Sequence, residues 1–412
     1  MLEMSRIDSL KAKNDWNGIL KECGCTTKNI SEKIITSLDI KLLLDVAMAY
    51  GQLSNLRRIK DKNTHKSIGY NTEEADNCFA CTKKMYERIL KLDPLNPMAL
   101  QSYAYNYYKY IISFFGVNEK QIKTMKSVDI IDCVKQINRL YDTILSINAL
   151  SLPSQIKTRY RRGKAHSELI FNYPQYSIIK DIILSLTTSR NKLYYTAMQD
   201  FLFVIDSYSK LKPEQQKQAY SLYIKAKYTL GKLYFENSYD NAFSPIQNLD
   251  NKTLVEIFID NPDNINLSYY RQWIHVDEFN KAEELLLSIL KDYNITPYTK
   301  INVATLAKNE RKYPLSPRHI FYQLGELYAK WYRMCAIPNK KRDIKLSKAY
   351  SGLYFYFVAY QYCLWCKKLH IPCSFFDYIS NRYDTLLRMS RIKKNDTHMT
   401  NMYYLFEKIL KK

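Results

Sequence analysis

The chain has 412 residues, with 62 Lys and Arg against 40 Asp and Glu, a formal net charge of +22, and only 9 glycines and 12 prolines. That is enough chain for a large core, and too little punctuation for a fold of many hairpins or for glycine-rich phosphate loops. No run of about 18 apolar residues occurs, Met1 to Lys13 lacks the blocks of a secretory signal, and nine cysteines without such a signal fit free thiols in a reducing compartment. The expected setting is intracellular and cytoplasmic, with the nucleus left open, and no membrane partner.

In chain order, residues 1–39 are expected to cap the N-terminal end. Leu42 to Leu53 forms a first helix with Ala47 three residues before Tyr50, followed by a polar, basic insertion over 54–72 and a partner helix, Glu73 to Leu92. Asp93-Pro94 stops that helix. Prolines at the first helical position then open a series, because the amide they lack has no intrahelical partner there. Pro97 to Phe115 pairs with Val128 to Ile147, Pro153 to Phe171 with Asn191 to Tyr208, Pro213 to Phe235 with Asp277 to Tyr293, and Pro317 to Met334 with Ile344 to Lys368. Insertions fall at 174–190, read as an extra short helix, and at 237–275, rich in Asn and Asp. Phe375 to Ile392 and Thr397 to Leu410 are expected to cap the far end within 372–412.

One local pattern recurs on the opening helices: Gly163 precedes His166, Gly231 precedes Tyr234 and Gly325 precedes Tyr328, each by three residues. Glycine costs a helix about 1 kcal/mol against alanine, so its recurrence marks close helix contact. Thirty-seven tyrosines are expected to fill the space between helices, with buried rings and hydroxyls at a wet edge.

The stretch Lys83 to Tyr108, KKMYERILKLDPLNPMALQSYAYNYY, resembles a tetratricopeptide repeat, in which a second helix ends at proline and the next repeat begins shortly after. The Leu-Gly-x-x-Tyr segments at Leu230 to Tyr234 and Leu324 to Tyr328 match that family's first-helix signature. The resemblance implies an all-α fold: a right-handed superhelical array of antiparallel helix pairs, five of them over 40–371, with capping helices at both ends. Through the family it also implies a scaffold that holds a segment of a partner protein on its concave face. The two-lysine and asparagine carboxylate clamp of chaperone-binding members has no match here.

The sharpest charge cluster is Lys157 to Lys164, KTRYRRGK, with Lys157, Arg159, Arg161, Arg162 and Lys164 on a helix and no acid among them. It fits either a solvated helix face or an anion site, the latter favoured by the planar fork of arginine. Further basic groups stand at Arg57 and Arg58, and at Lys340, Lys341 and Arg342. If they converge, RNA or DNA becomes a competing partner, and changing Arg159, Arg161 and Arg162 together should weaken that binding while leaving melting intact. A regulatory subunit that controls an effector enzyme would use the same array.

Cys363, Cys366, His370 and Cys373 have spacing suggestive of zinc, but they lie on and just beyond a helix that reads as buried, so core thiols are the expectation and no metal or cofactor is assigned. The six histidines form no H-E-x-x-H motif, no serine stands in a G-x-S-x-G elbow and no Walker loop occurs, so the chain is read as non-enzymatic.

Overall fold

The computed structural model describes residues 4–56, 58–60, 67–114, 127–147, 150–172, 190–240, 276–297, 301–334, 342–371, 373 and 376–390. These fall into two compact units, residues 1–203 and 204–412. The first contains α1 (Met4–Ala12), α2 (Trp16–Glu22), α3 (Glu32–Ile35), α4 (Ile40–Leu53), α5 (Thr72–Leu92), α6 (Pro97–Phe114), α7 (Ser127–Leu145) and α8 (Leu152–Asn172), with the division between units falling inside α9 (Arg190–Tyr208). The second contains α10 (Pro213–Asp240), α11 (Val276–Asp292), α12 (Val303–Lys308), α13 (Pro317–Met334), α14 (Arg342–Lys368) and α15 (Phe376–Ser390).

Helices dominate both units, and most pack chiefly on their neighbours in sequence, although α2 packs chiefly on α4 and α12 on α14. The expected all-α class holds with one addition. Within the first insertion, β1 (Arg58–Lys60) and β2 (Ser67–Tyr70) form a small antiparallel hairpin that pairs Arg58 with Tyr70 and Ile59 with Gly69. The helix α12 and the 3-10 turn Glu310–Lys312 also stand where no element was expected. The extra helix over 174–190 lies outside the described residues apart from Arg190, as do the rest of the third insertion, 237–275, beyond Asp240 and the terminal helix Thr397 to Leu410.

The helix ends follow from local chemistry. Asp39 accepts from the Leu42 amide at 3.1 Å and Asn96 from the Ala99 amide at 2.9 Å, satisfying donors that the first helical turn leaves unpaired. Asn14, Asn294 and His370 take left-handed backbone angles, with φ near 56°, 57° and 54°, and each reverses the chain just after a helix. After α14 the Ile371 amide reaches back to the Cys366 carbonyl at 2.9 Å and the His370 amide to that of Lys367 at 3.2 Å.

The repeat glycines sit in the seams between paired helices. A Cβ on Gly163 would stand 3.2 Å from the side chains of Asp200 and Phe201, and one on Gly231 would stand 3.3 Å from Leu286. At Gly325 it would stand 2.5 Å from the Tyr356 ring, closer than atoms pack. Tyr356 is itself held, its hydroxyl donating to Glu326 at 2.6 Å. Tyrosine fills the core as expected, but its buried hydroxyls do not stay at a wet edge. The Tyr50 hydroxyl lies 2.9 Å and 2.8 Å from the carbonyl oxygens of Thr26 and Asn29, Tyr110 donates to Asp76 at 2.6 Å, and Tyr362 meets the Leu306 carbonyl at 3.0 Å. Ring and hydroxyl thus serve separate purposes: one fills volume, the other satisfies polar groups that burial would otherwise strand.

Two outcomes follow from these contacts. Gly325→Ala is expected to lower stability by about 1–3 kcal/mol because the Tyr356 ring cannot give way. Gly231→Ala should stay within about 1 kcal/mol of the parent, since improved helix propensity offsets a mild contact with Leu286. Urea midpoints compare the two, and equal losses would contradict the difference in spacing.

The buried His166 gives a pH test. Burial, followed by the nearby Arg162 charge, lowers its pKa from 6.5 to about 3, so the folded protein holds it neutral while the unfolded chain protonates it. The unfolded state therefore binds more protons between those values, and stability falls as pH drops through 6.5. His166→Gln should remove about 2 kcal/mol of the loss between pH 7.5 and 5, measured as the change in the stability difference between variant and parent. A difference that does not vary with pH would mean that His166 is not held neutral.

Candidate functional site

The basic helix α8 divides its charge between two faces. Residues three apart share a face on a helix, and so do residues four apart, so Arg159 and Arg162 point one way and Lys157 and Arg161 another.

The first pair turns into the fold. Arg162 grips Asp200 of α9 with both arms, Nε to Oδ2 at 2.7 Å and Nη2 to Oδ1 at 2.8 Å, and its third nitrogen reaches Asp142 of α7 at 2.7 Å. Arg159 adds a bond to Asp200 Oδ1 at 3.2 Å and lays its guanidinium 4.4 Å from the Phe203 ring centre. The Asp200 side chain has no solvent exposure at all. Burial pushes its carboxyl up from the usual carboxylate range, and the two guanidinium groups oppose that rise. Such a group persists as an anion only because it is paired, and stranding it is costly. These two arginines therefore bind α8 to α9. Lys164 pairs with Glu168 one turn along the same helix.

Of the second pair, Arg161 meets α6. Arg161 lies with its guanidinium 4.6 Å from the centre of the Tyr105 ring, and Lys109 of α6 approaches the same ring at 5.7 Å while donating to Gln52 of α4 at 3.1 Å. Lys157, one turn before Arg161, reaches solvent. Among the described residues none of these three cations has a carboxylate partner. Partial burial draws the Lys109 ammonium below the ordinary lysine range, and burial and then the Arg161 charge do the same at Lys157. Burial pushes the Tyr141 hydroxyl up and the Arg161 charge opposes that rise; among the described residues the hydroxyl has no hydrogen-bond partner. Arg161 and Lys109 thus flank the half-buried Tyr105 ring, with Lys157 one turn along α8.

That arrangement suits a carboxylate or phosphate. The forked guanidinium can hold two oxygens, and the lysines supply charge from either side. Tyr105 and Lys109 carried no motif in the sequence. Their only signal was the four-residue spacing that stacks them on one side of an opening helix.

Arg57, Lys340 and Lys341 lie outside the described residues, and Arg58 and Arg342 are placed by backbone alone, in β1 and at the start of α14. Cys363 and Cys366 are buried on α14, while His370 serves as the left-handed residue that ends it. No group of three or more His, Cys, Asp or Glu side chains among the described residues is placed to hold a metal ion. No helix among them is long and apolar enough to cross a membrane.

No family model, curated protein or solved structure matches the chain. The site therefore rests on its own geometry.

The division of charge changes what substitution should do. Replacing Arg159 and Arg162 by glutamine strands Asp200 and is expected to cost about 3–5 kcal/mol, so the triple change that includes Arg161 cannot leave melting intact. Replacing Lys157 and Arg161 should cost no more than about 1 kcal/mol, the scale of a surface cation over a ring. Chemical denaturation of the two double variants separates the faces, and a reversed order would refute their assignment.

Proposed function

We propose that the chain is a non-catalytic scaffold of the tetratricopeptide kind, a right-handed superhelical array that holds an acidic segment of a partner protein within a larger assembly. The observation that carries this reading is that Lys109 and Arg161 flank the Tyr105 ring, with Lys157 one turn along α8, and that none of the three has a carboxylate partner among the described residues. They stand on opening helices of successive pairs, which adjoin each other as α4 with α6 and α6 with α8. In an array of this kind those helices line the groove. The family likeness of Lys83 to Tyr108 supports the same reading.

The net charge of +22 also attracts nucleic acid. Two of the five basic residues of Lys157 to Lys164 are committed inward, however, and a third is paired along its own helix. What remains is a compact patch rather than a track for a phosphate backbone, and a compact patch fits a few carboxylates on a short peptide.

Fluorescence anisotropy with a labelled Asp- and Glu-rich peptide, and in parallel with random-sequence RNA and duplex DNA, tests the choice. The triple variant Lys109→Gln, Lys157→Gln, Arg161→Gln is expected to weaken peptide binding at least about tenfold, or 1.4 kcal/mol, without loss of fold. Tight RNA or DNA binding that falls steeply with salt and is lost in the same variant would transfer the site to nucleic acid. Unchanged binding of every probe would remove the site altogether.

A further inference from the structure

The second unit holds a cation in a different setting. Lys348 of α14 places its Nζ 5.1 Å from the centre of the Tyr328 ring, 5.5 Å from that of Phe279 and 5.6 Å from that of Trp331. Phe279 comes from α11, and Tyr328 and Trp331 stand three residues apart on α13, a spacing that puts both on one face. The ring planes stand steeply to one another, Phe279 at 66° to Tyr328 and at 57° to Trp331, with centroids 6.1 Å and 6.2 Å apart. Three ring faces thus meet at one point, each within the roughly 6 Å over which such a face attracts a cation. Two of the walls are fixed: Phe279 and Tyr328 are buried, and Tyr328 stacks parallel to Phe355 at 5.7 Å while its hydroxyl donates to Glu283. Trp331 and Lys348 are only half-buried, so the opening lies on their side.

The present occupant suits the rings only by its charge. Lys348 carries three N–H donors on a strongly hydrated ammonium, yet it meets three ring faces and has no carboxylate or hydrogen-bond acceptor among the described residues. A trimethylammonium group carries the same charge, has no donor to leave unsatisfied and offers methyl groups for the rings to cover. We propose that Phe279, Tyr328 and Trp331 form an aromatic cage for a trimethylammonium group, with the Lys348 ammonium as a displaceable plug. The cage stands on other helices than the site around Tyr105 and takes the opposite charge.

Exchange needs only a rotation. Lys348 hangs on a flexible four-carbon stem and is half-buried, so its ammonium can pass to water, where its three donors are met. The incoming methyl groups then lie against the two buried rings and against Trp331, the ring type that attracts a cation best. No covalent bond changes. Glu283 adds negative charge at the Tyr328 hydroxyl, which favours a cation in the cage over a neutral group of the same shape.

Isothermal titration calorimetry on the full chain tests the cage with choline, with a peptide carrying one trimethyllysine, and with the uncharged tert-butyl counterpart of choline. Lys348→Ala removes the plug and is expected to bind choline at least about tenfold more tightly than the parent, while the tert-butyl compound should bind neither protein. In that background Trp331→Leu should abolish binding and Trp331→Phe, which keeps a ring face, should retain part of it, with urea midpoints showing each variant folded. The peptide arm separates the sources of the group. Tighter binding than choline assigns it to a side chain of another protein, weaker binding to a free small molecule, and either result supports the cage. The parent needs no substitution: at excess choline the methyl proton signal should move upfield under the ring currents. Failure of both the parent and folded Lys348→Ala to bind either trimethylammonium probe, no gain in affinity on Lys348→Ala, equal affinity for the tert-butyl compound, or binding untouched by Trp331→Leu would each overturn the proposal.

Discussion

One buried carboxylate sets the rotation of α8. Asp200 is wholly removed from water, and a charge so placed must be met by groups that cannot drift. Arg159 and Arg162 meet it from one side of α8, and Gly163 lets the helix come close enough for them to do so, with its Cα facing Ala197, Asp200 and Phe201. Ion pair and glycine act as one constraint: a side chain at 163 would hold the helices apart and lengthen the bonds to Asp200. Once that face is fixed, Lys157 and Arg161 have no choice but the opposite one, where Arg161 lies over Tyr105. The candidate site is thus a consequence of how α8 is anchored.

The same economy runs through the tyrosine core. A ring between helices buries large area with little conformational entropy, but its hydroxyl must be satisfied. Here carbonyls at Thr26, Asn29, Leu306 and Leu315 and carboxylates at Asp76 and Glu326 perform that service. Each such bond joins elements that are distant in sequence, so the tyrosines both fill volume and fix register. Tyr141 is an exception: among the described residues its buried hydroxyl has no hydrogen-bond partner.

Much of the helix pattern was legible because its signals are local. Pro97, Pro213 and Pro317 each begin a helix, and the observed α5, α6, α13 and α14 lie within two residues of the bounds expected from apolar spacing. The small residues at 163, 231 and 325 marked true seams for the same reason. Pairing across the chain was not legible. Asp200 lies 41 residues from Arg159 and 38 from Arg162, and nothing in KTRYRRGK distinguishes the two arginines that turn inward from the one that does not. The turn that ends α14 depended on His370 taking a left-handed angle, a preference too weak in histidine to be read beforehand. The hairpin at Arg58–Lys60 and Ser67–Tyr70 was hidden in a polar, basic stretch without alternating apolar residues, where sheet pairing leaves little trace.

The division of α8 into an anchoring face and an open face is best tested by two double-mutant cycles in urea, one with Arg162→Ala and Asp200→Ala, the other with Arg161→Ala and Asp200→Ala. Residues in one ion-pair network couple by up to about 3 kcal/mol, whereas residues without shared partners add independently. Coupling of about 2–3 kcal/mol between Arg162 and Asp200, with less than about 0.5 kcal/mol between Arg161 and Asp200, is the predicted result. Equal coupling in both cycles, or the larger value at Arg161, would contradict it.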